Sequence, residues 1–206
     1  MLLYAYFQIL GIVIGAIVGY FLKMPKIHSD NKKDIYICAL LGLIIGMKLP
    51  VLLSYDWSSN LIVNGKSFMG GILGAFVGVN LYKLAIRQTN QAFGGRFVIP
   101  LAIAAGFGKI GCYFNGCCGG RFDIDTQLIE SGFQFLMAIM MFCFYKRTNR
   151  IDLLFPIYLL SYLVMRFFIE FIRVEPRVLW VFTIYHILAL IFIPILIVIL
   201  WRRRHV

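Results

Sequence analysis

Four residues in the last third of the chain, Tyr162, Arg166, Glu170 and Arg173, stand four, four and three positions apart. That spacing puts them on one face of a helix. Their neighbours are Leu, Val, Met, Phe and Ile, so the face lies in an apolar run. A charge is costly in such surroundings, and ionisable groups kept there point inward and mark candidate sites. Arg offers a planar fork that binds two oxygens of a phosphate. The face therefore reads as an anion clamp in which Arg166 and Glu170 can pair. The same pair could instead be a structural bridge that fixes helix packing.

A second polar group lies upstream. Residues 108–121 run Gly-Lys-Ile-Gly-Cys-Tyr-Phe-Asn-Gly-Cys-Cys-Gly-Gly-Arg, too rich in glycine for an ordinary helix. Irregular backbone at membrane depth is tolerated where it lines a cavity or is buried in protein. The stretch is expected to be a cavity-lining turn carrying Lys109, Asn115, Gly120 and Arg121, with backbone amides turned toward an anion. Gln127 and Glu130 follow it, and Lys48 precedes Pro50 in an earlier apolar run. His186 lies in the last apolar run, where a neutral imidazole serves either as a hydrogen-bonded packing residue or as a base. The five cysteines, Cys38, Cys112, Cys117, Cys118 and Cys143, are an odd count, which argues against a full disulfide framework. Cys117 and Cys118 are adjacent, only Cys112 is near, and no His has ligand spacing. They are expected to be small buried residues, with no metal and no cofactor.

The elements that must position these groups follow from composition. Of 206 residues, 61% are hydrophobic and 14% charged, whereas soluble domains are nearer half apolar and a quarter charged. A spanning helix needs about 20 mostly apolar residues. Seven such stretches are predicted at 2–22, 35–54, 67–86, 97–114, 127–145, 152–172 and 178–201. The expected class is an all-α integral membrane protein forming a single domain over residues 1–206. The first stretch reads as a retained helix rather than a cleaved leader, since no Lys or Arg precedes it. The net charge of +11 would suggest nucleic acid in a soluble protein. Here the basic residues fall in short loops, so no nucleic-acid partner is expected.

Those loops also set orientation. With the N-terminus outside, 13 basic residues fall inside: Lys23, Lys26, Lys32, Lys33, Lys83, Arg87, Arg96, Lys146, Arg147, Arg150, Arg202, Arg203 and Arg204. Four fall outside: Lys66, Arg121, Arg173 and Arg177. The C-terminus is therefore expected in the cytoplasm, and the polar groups collect in the outer half of the membrane, as a site would. Glycines recur every fourth residue at Gly11, Gly15 and Gly19, at Gly42 and Gly46, and at Gly70, Gly74 and Gly78. In lipid that pattern reads as close helix packing.

Taken together, Gly65–Gly74, Gly108–Arg121, Gln127–Glu130 and Tyr162–Arg173 occur in the order found in the prolipoprotein diacylglyceryl transferase family, which this chain resembles. The resemblance implies seven helices with the N-terminus outside the bacterial cytoplasmic membrane. It implies transfer of diacylglyceryl from phosphatidylglycerol to the thiol of a lipobox cysteine, with release of glycerol phosphate. The partners would be a phospholipid donor and a prolipoprotein or other thiol peptide. Asn115, Gly120, Arg121, Tyr162, Arg166, Glu170 and Arg173 match the family pattern. Lys109 stands where Arg is usual, Cys112 where Asn is usual, Cys117 where Glu is usual, Met69 where His is usual, and Lys48 in place of an Arg.

On this reading Arg166, with Lys109 and Arg173, holds the lipid phosphate and stabilises its departing charge. Asn115 and Tyr162 orient the headgroup, with Gln127 and Lys48 at the substrate, and Glu170 positions Arg166. The acceptor thiol must lose a proton, for which His186 and Glu130 are the candidate bases. The alternative is a non-enzymatic lipid-binding subunit or small-molecule transporter. Against transport stand the absence of an internal repeat and the gathering of polar groups near one face.

Overall fold

The computed structural model describes residues 2–22, 32–54, 65–87 and 94–204. Lys23 and Lys26, which enter the charge count above, lie outside the described residues. Among the described residues seven long helices carry the fold: α1 (Leu2–Phe21), α2 (Lys32–Ser54), α3 (Phe68–Ala85), α4 (Val98–Phe114), α5 (Thr126–Thr148), α6 (Ile151–Ile169) and α7 (Ile184–Arg204). A 3-10 turn, Gly95–Phe97, leads into α4. All seven, with α4 extended by that turn, are long and apolar enough to cross a membrane. Leu2, Ile9, Ile12, Leu40, Ile45 and Ile139 stand exposed while Glu130, Glu170, Arg166 and His186 are buried. That inside-out distribution is what a lipid solvent demands. The chain is an all-α, multi-pass membrane protein.

Most expected boundaries move by one to three residues, and the start of the seventh helix by six. The sixth helix ends at Ile169 rather than 172, and the seventh begins at Ile184 rather than 178. Between them Leu179 and Phe182 close a tight turn, with the Phe182 amide donating to the Leu179 carbonyl at 2.7 Å. Trp180 inside that turn has φ of 50°, a left-handed conformation that no helix admits.

One unit comprises α1, α4, α5, α6 and most of α7. Here α1 lies directly on α4: a Cβ added to Gly11 would come 2.7 Å from the Phe107 Cβ. Helix α4 in turn meets α5, where the Ser131 hydroxyl donates to the Gly106 carbonyl at 2.9 Å and Phe107 meets Phe135 edge-on. A polar bond to helix backbone of this kind ties two helices where no hydrophobic force distinguishes protein from lipid.

The other unit comprises α2, α3 and residues 175–188. The α2/α3 pair crosses at glycines, and a Cβ at Gly74 would come 2.7 Å from the Gly46 Cα. The four-residue glycine spacing thus does what the sequence suggested. Ser67 caps α3, its hydroxyl accepting from the Gly70 amide at 3.1 Å.

Candidate functional site

The polar cluster of the first unit is centred on Glu130, one turn into α5 and fully buried. Lys109 from α4 approaches its Oε2 at 2.5 Å, and Arg166 from α6 approaches its Oε1 at 2.7 Å. Arg173, beyond the end of α6, reaches the same Oε1 at 3.1 Å. Glu170 adds a second carboxylate, 3.0 Å from Arg166 and 3.7 Å from the Arg173 Nε. Three cations therefore share two carboxylates in the ion pairs of this cluster. A buried ion network is tolerable only when its members are paired and hydrogen-bonded, and guanidinium forks gathered in one place suit an anionic ligand.

The backbone that presents these groups is closed on itself. Gly120 and Arg173 form an isolated antiparallel bridge, and the Arg121 amide donates to the Ile172 carbonyl at 2.7 Å. A Cβ at Gly120 would fall 2.7 Å from the Thr126 Cγ2, so only glycine allows this approach. The Cys118 carbonyl accepts from Thr126 Oγ1 at 2.9 Å and from Arg173 at 3.2 Å. Gln127 Nε2 donates to the Cys117 carbonyl at 2.8 Å, while its Oε1 is buried with no hydrogen-bond partner among the described residues. Tyr162 is buried and stacks on Tyr158, whose hydroxyl donates to Gln134 at 2.8 Å.

These distances correct two expectations. Of residues 108–121, 108–114 finish α4, as the 97–114 span had it, and do not join the turn; Gly111 is buried against Tyr4 and Phe7 of α1, where an added Cβ would come 3.1 Å from the Tyr4 carbonyl oxygen. The turn begins at Asn115, and it is a Schellman motif. The Gly116 amide donates to the Tyr113 carbonyl at 3.0 Å and the Cys117 amide to the Cys112 carbonyl at 3.1 Å, with Gly116 at φ of 65°. That turn brings Cys112 back over Cys117, and the Cys112, Cys117 and Cys118 sulfurs lie within 4.8 Å of one another. The cysteines are thus a group of three, not an isolated pair. They are not buried either: Cys112 and Cys117 are half-buried and Cys118 is exposed. A hydrogen bond from the Cys112 thiol, then the Lys109 and Arg173 charges, draw the Cys118 thiol below its ordinary range.

A family model described as prolipoprotein diacylglyceryl transferase matches residues 1–202. The chain belongs to that family. Its relatives include phosphatidylglycerol–prolipoprotein diacylglyceryl transferase 2 of Clostridium perfringens, 26% identical over 85% of this chain and 80% of that protein. The transferase of Clostridium tetani is 27% identical over 85% of this chain and 82% of its own length. That of Legionella pneumophila strain Lens is 25% identical over 82% of this chain and 78% of its own. No solved structure matches the chain.

Within this member of the diacylglyceryl transferase family, five residues singled out from the sequence come together: Lys109, Glu130, Arg166, Glu170 and Arg173. Gln127, Gly120 and Arg121 build the connector beside them, Arg121 through its amide. The Asn115 side chain is exposed at the end of α4. Lys48 and His186 belong to the other unit. Lys48 donates to the Gly65 carbonyl at 3.0 Å and so anchors the approach to α3. His186 is fully buried, and its Nδ1 accepts from the Thr183 amide at 3.2 Å. Thr183 precedes α7 and His186 is its third residue, so the imidazole closes the helix start as Glu does in a capping box. Sequence reasoning missed Gln134 and Tyr158. The signal was there, since Gln134 stands four after Glu130 and Tyr158 four before Tyr162.

Proposed function

We propose that this chain moves the diacylglyceryl group of phosphatidylglycerol onto the thiol of a lipobox cysteine in a prolipoprotein. It would do so in the bacterial cytoplasmic membrane, as one membrane domain with its N-terminus outside and C-terminus inside. The observation that carries the reading is the cluster of Lys109, Arg166 and Arg173 gathered over two buried carboxylates. Family membership and the names of the relatives support it.

The acceptor sulfur attacks the glyceryl carbon next to the phosphate ester. A C–S bond forms as the C–O bond breaks, and the electron pair leaves with glycerol phosphate. The phosphate gains a negative charge along the way. Donors fixed where that charge grows lower the barrier, because they need no reorganisation at the moment of reaction. Arg166, Lys109 and Arg173 would supply them. Glu130 and Glu170 would act as positioning residues that hold the three cations in a fixed fan. Tyr162, Gln127 and Asn115 would orient the headgroup, with Gly120 and Arg121 shaping the connector. Glu130 suits positioning better than proton removal, since cations engage both of its oxygens.

The test is a purified, detergent-solubilised chain given phosphatidylglycerol and a cysteine-bearing lipobox peptide. The expected result is a peptide heavier by one diacylglyceryl group, with glycerol phosphate released in equal amount. No thioether product, with the folded protein confirmed, would overturn the proposal.

A further inference from the structure

The turn between α4 and α5 gathers three thiols that the transfer scheme above leaves unused. Cys112, Cys117 and Cys118 have their sulfurs within 4.8 Å of one another. The Schellman turn fixes this local approach, with the Cys117 sulfur 3.6 Å from the Cys112 carbonyl. Tetrahedral zinc binds thiolates at about 2.3 Å, which sets its sulfurs roughly 3.8 Å apart. The 4.8 Å that bounds the group is about 1 Å wider than that spacing. Soft sulfur ligands select zinc over hard cations. Three thiolates around Zn2+ carry a net negative charge, and the Arg173 guanidinium stands beside them, 3.2 Å from the Cys118 carbonyl. No fourth protein ligand joins the group among the described residues. Three ligands with one open position is the arrangement of a zinc that takes part in chemistry rather than one that only staples a fold. Cys118 is exposed, so a second molecule can reach the group.

We propose that Cys112, Cys117 and Cys118 form a three-sulfur zinc site whose fourth position takes the acceptor's sulfur. The role toward the acceptor rests on the transferase reading; the metal site does not. Zn2+ binds the acceptor sulfur as thiolate, and its proton leaves to solvent. That thiolate then attacks the glyceryl carbon, the C–S bond forming as the C–O bond breaks and glycerol phosphate departs with the pair.

The experiment titrates the full-length, reduced, metal-free protein in detergent with Co2+ alone, as a visible substitute for zinc. The expected result is about one Co2+ per chain with sulfur-to-cobalt charge-transfer absorption. Cys117→Ser with Cys118→Ser should weaken binding by more than the roughly 10–100-fold typical of losing an outer-shell partner. Cys38→Ser with Cys143→Ser should bind as the parent does, and circular dichroism should show both variants folded. Absent charge-transfer bands, or bands that persist in Cys117→Ser/Cys118→Ser, would overturn the metal site. A cysteine peptide added to the cobalt protein should shift the ligand-field bands, and its serine analogue should not. No shift would overturn the open fourth position. A protein that binds Co2+ and the thiol peptide but transfers no diacylglyceryl keeps the site and sinks the transferase reading. Undiminished transfer by metal-free protein keeps the transferase reading and sinks the role of zinc in it.

Discussion

Replacing Arg166 changes two pairings at once, because its two terminal nitrogens face different carboxylates, Glu130 at 2.7 Å and Glu170 at 3.0 Å. Lys keeps the charge but has a single ammonium and cannot fork. Arg166→Lys should therefore leave the helices folded while kcat/KM for phosphatidylglycerol falls about 10²–10³-fold, the scale of losing one fixed donor to a developing anion. Arg166→Leu combined with Glu170→Leu removes one charge of each sign. It should recover thermal stability lost in either single variant yet stay inactive; normal turnover by it would make Arg166 structural. Glu130→Gln is the opposite case. It leaves three cations against Glu170 alone, and breaking a buried pair from one side costs about 3–5 kcal/mol. The expected outcome is a clear drop in melting temperature in detergent. His186→Gln separates cap from base, since Gln at the third helical position can close a capping box and cannot serve as a base. We expect transfer activity to survive it.

At the scale of elements, the two helix crossings depend on what a glycine leaves out. Gly74 faces the Gly46 backbone, and an added Cβ would sit 2.7 Å from its Cα. Backbone cannot rotate away as a side chain can, so Gly74→Val should destabilise the α2/α3 pair by about 1–3 kcal/mol. Gly108 in α4 is the control: a Cβ there meets nothing within 4 Å. Gly108→Ala should be tolerated or raise stability by up to about 1 kcal/mol through helix propensity. Thermal unfolding of both variants in the same detergent checks the pair. A Gly74→Val protein as stable as the parent would mean the crossing is looser than the backbone distances require.

For the whole molecule the open quantity is direction across the membrane. Basic residues are retained on the cytoplasmic side because loops carrying them resist translocation. With Lys146, Arg147, Arg150, Arg202, Arg203 and Arg204 counted inside, a C-terminal reporter active only in the cytoplasm should be active. One fused after Arg121 that needs export should be active as well. The reverse pair of results would turn the molecule over and put the Glu130 cluster at the cytoplasmic end.

Seven spans, their approximate places and the glycine crossings were legible in the sequence, because lipid imposes length and apolar character on each helix by itself. The Arg166–Glu170 pair was legible too, since partners four apart meet on any helix. The end of α6 was not, because the periodicity of Arg166, Glu170 and Arg173 runs past Ile169 while the backbone leaves the helix there. Gly108–Phe114 was read both as the end of the 97–114 span and as the start of a turn, and the helix is what forms. A glycine-rich run is a turn or a tightly packed helix according to what stands against it, and here α1 stands against Gly111. Glu130 shows the same division. Its place near the start of α5 was plain, but its three partners come from α4, α6 and the segment beyond α6. No spacing along one chain segment encodes a meeting of three. Cys112 and Cys117 lie between these cases: Gly116, one past the C-cap Asn115 of α4, is the residue of a Schellman turn, and that turn alone brings the two together. Local chemistry therefore decided which elements form and how closely they can pack. Only the packed helices decided which charges share a carboxylate, because that depends on where separate helices end relative to one another.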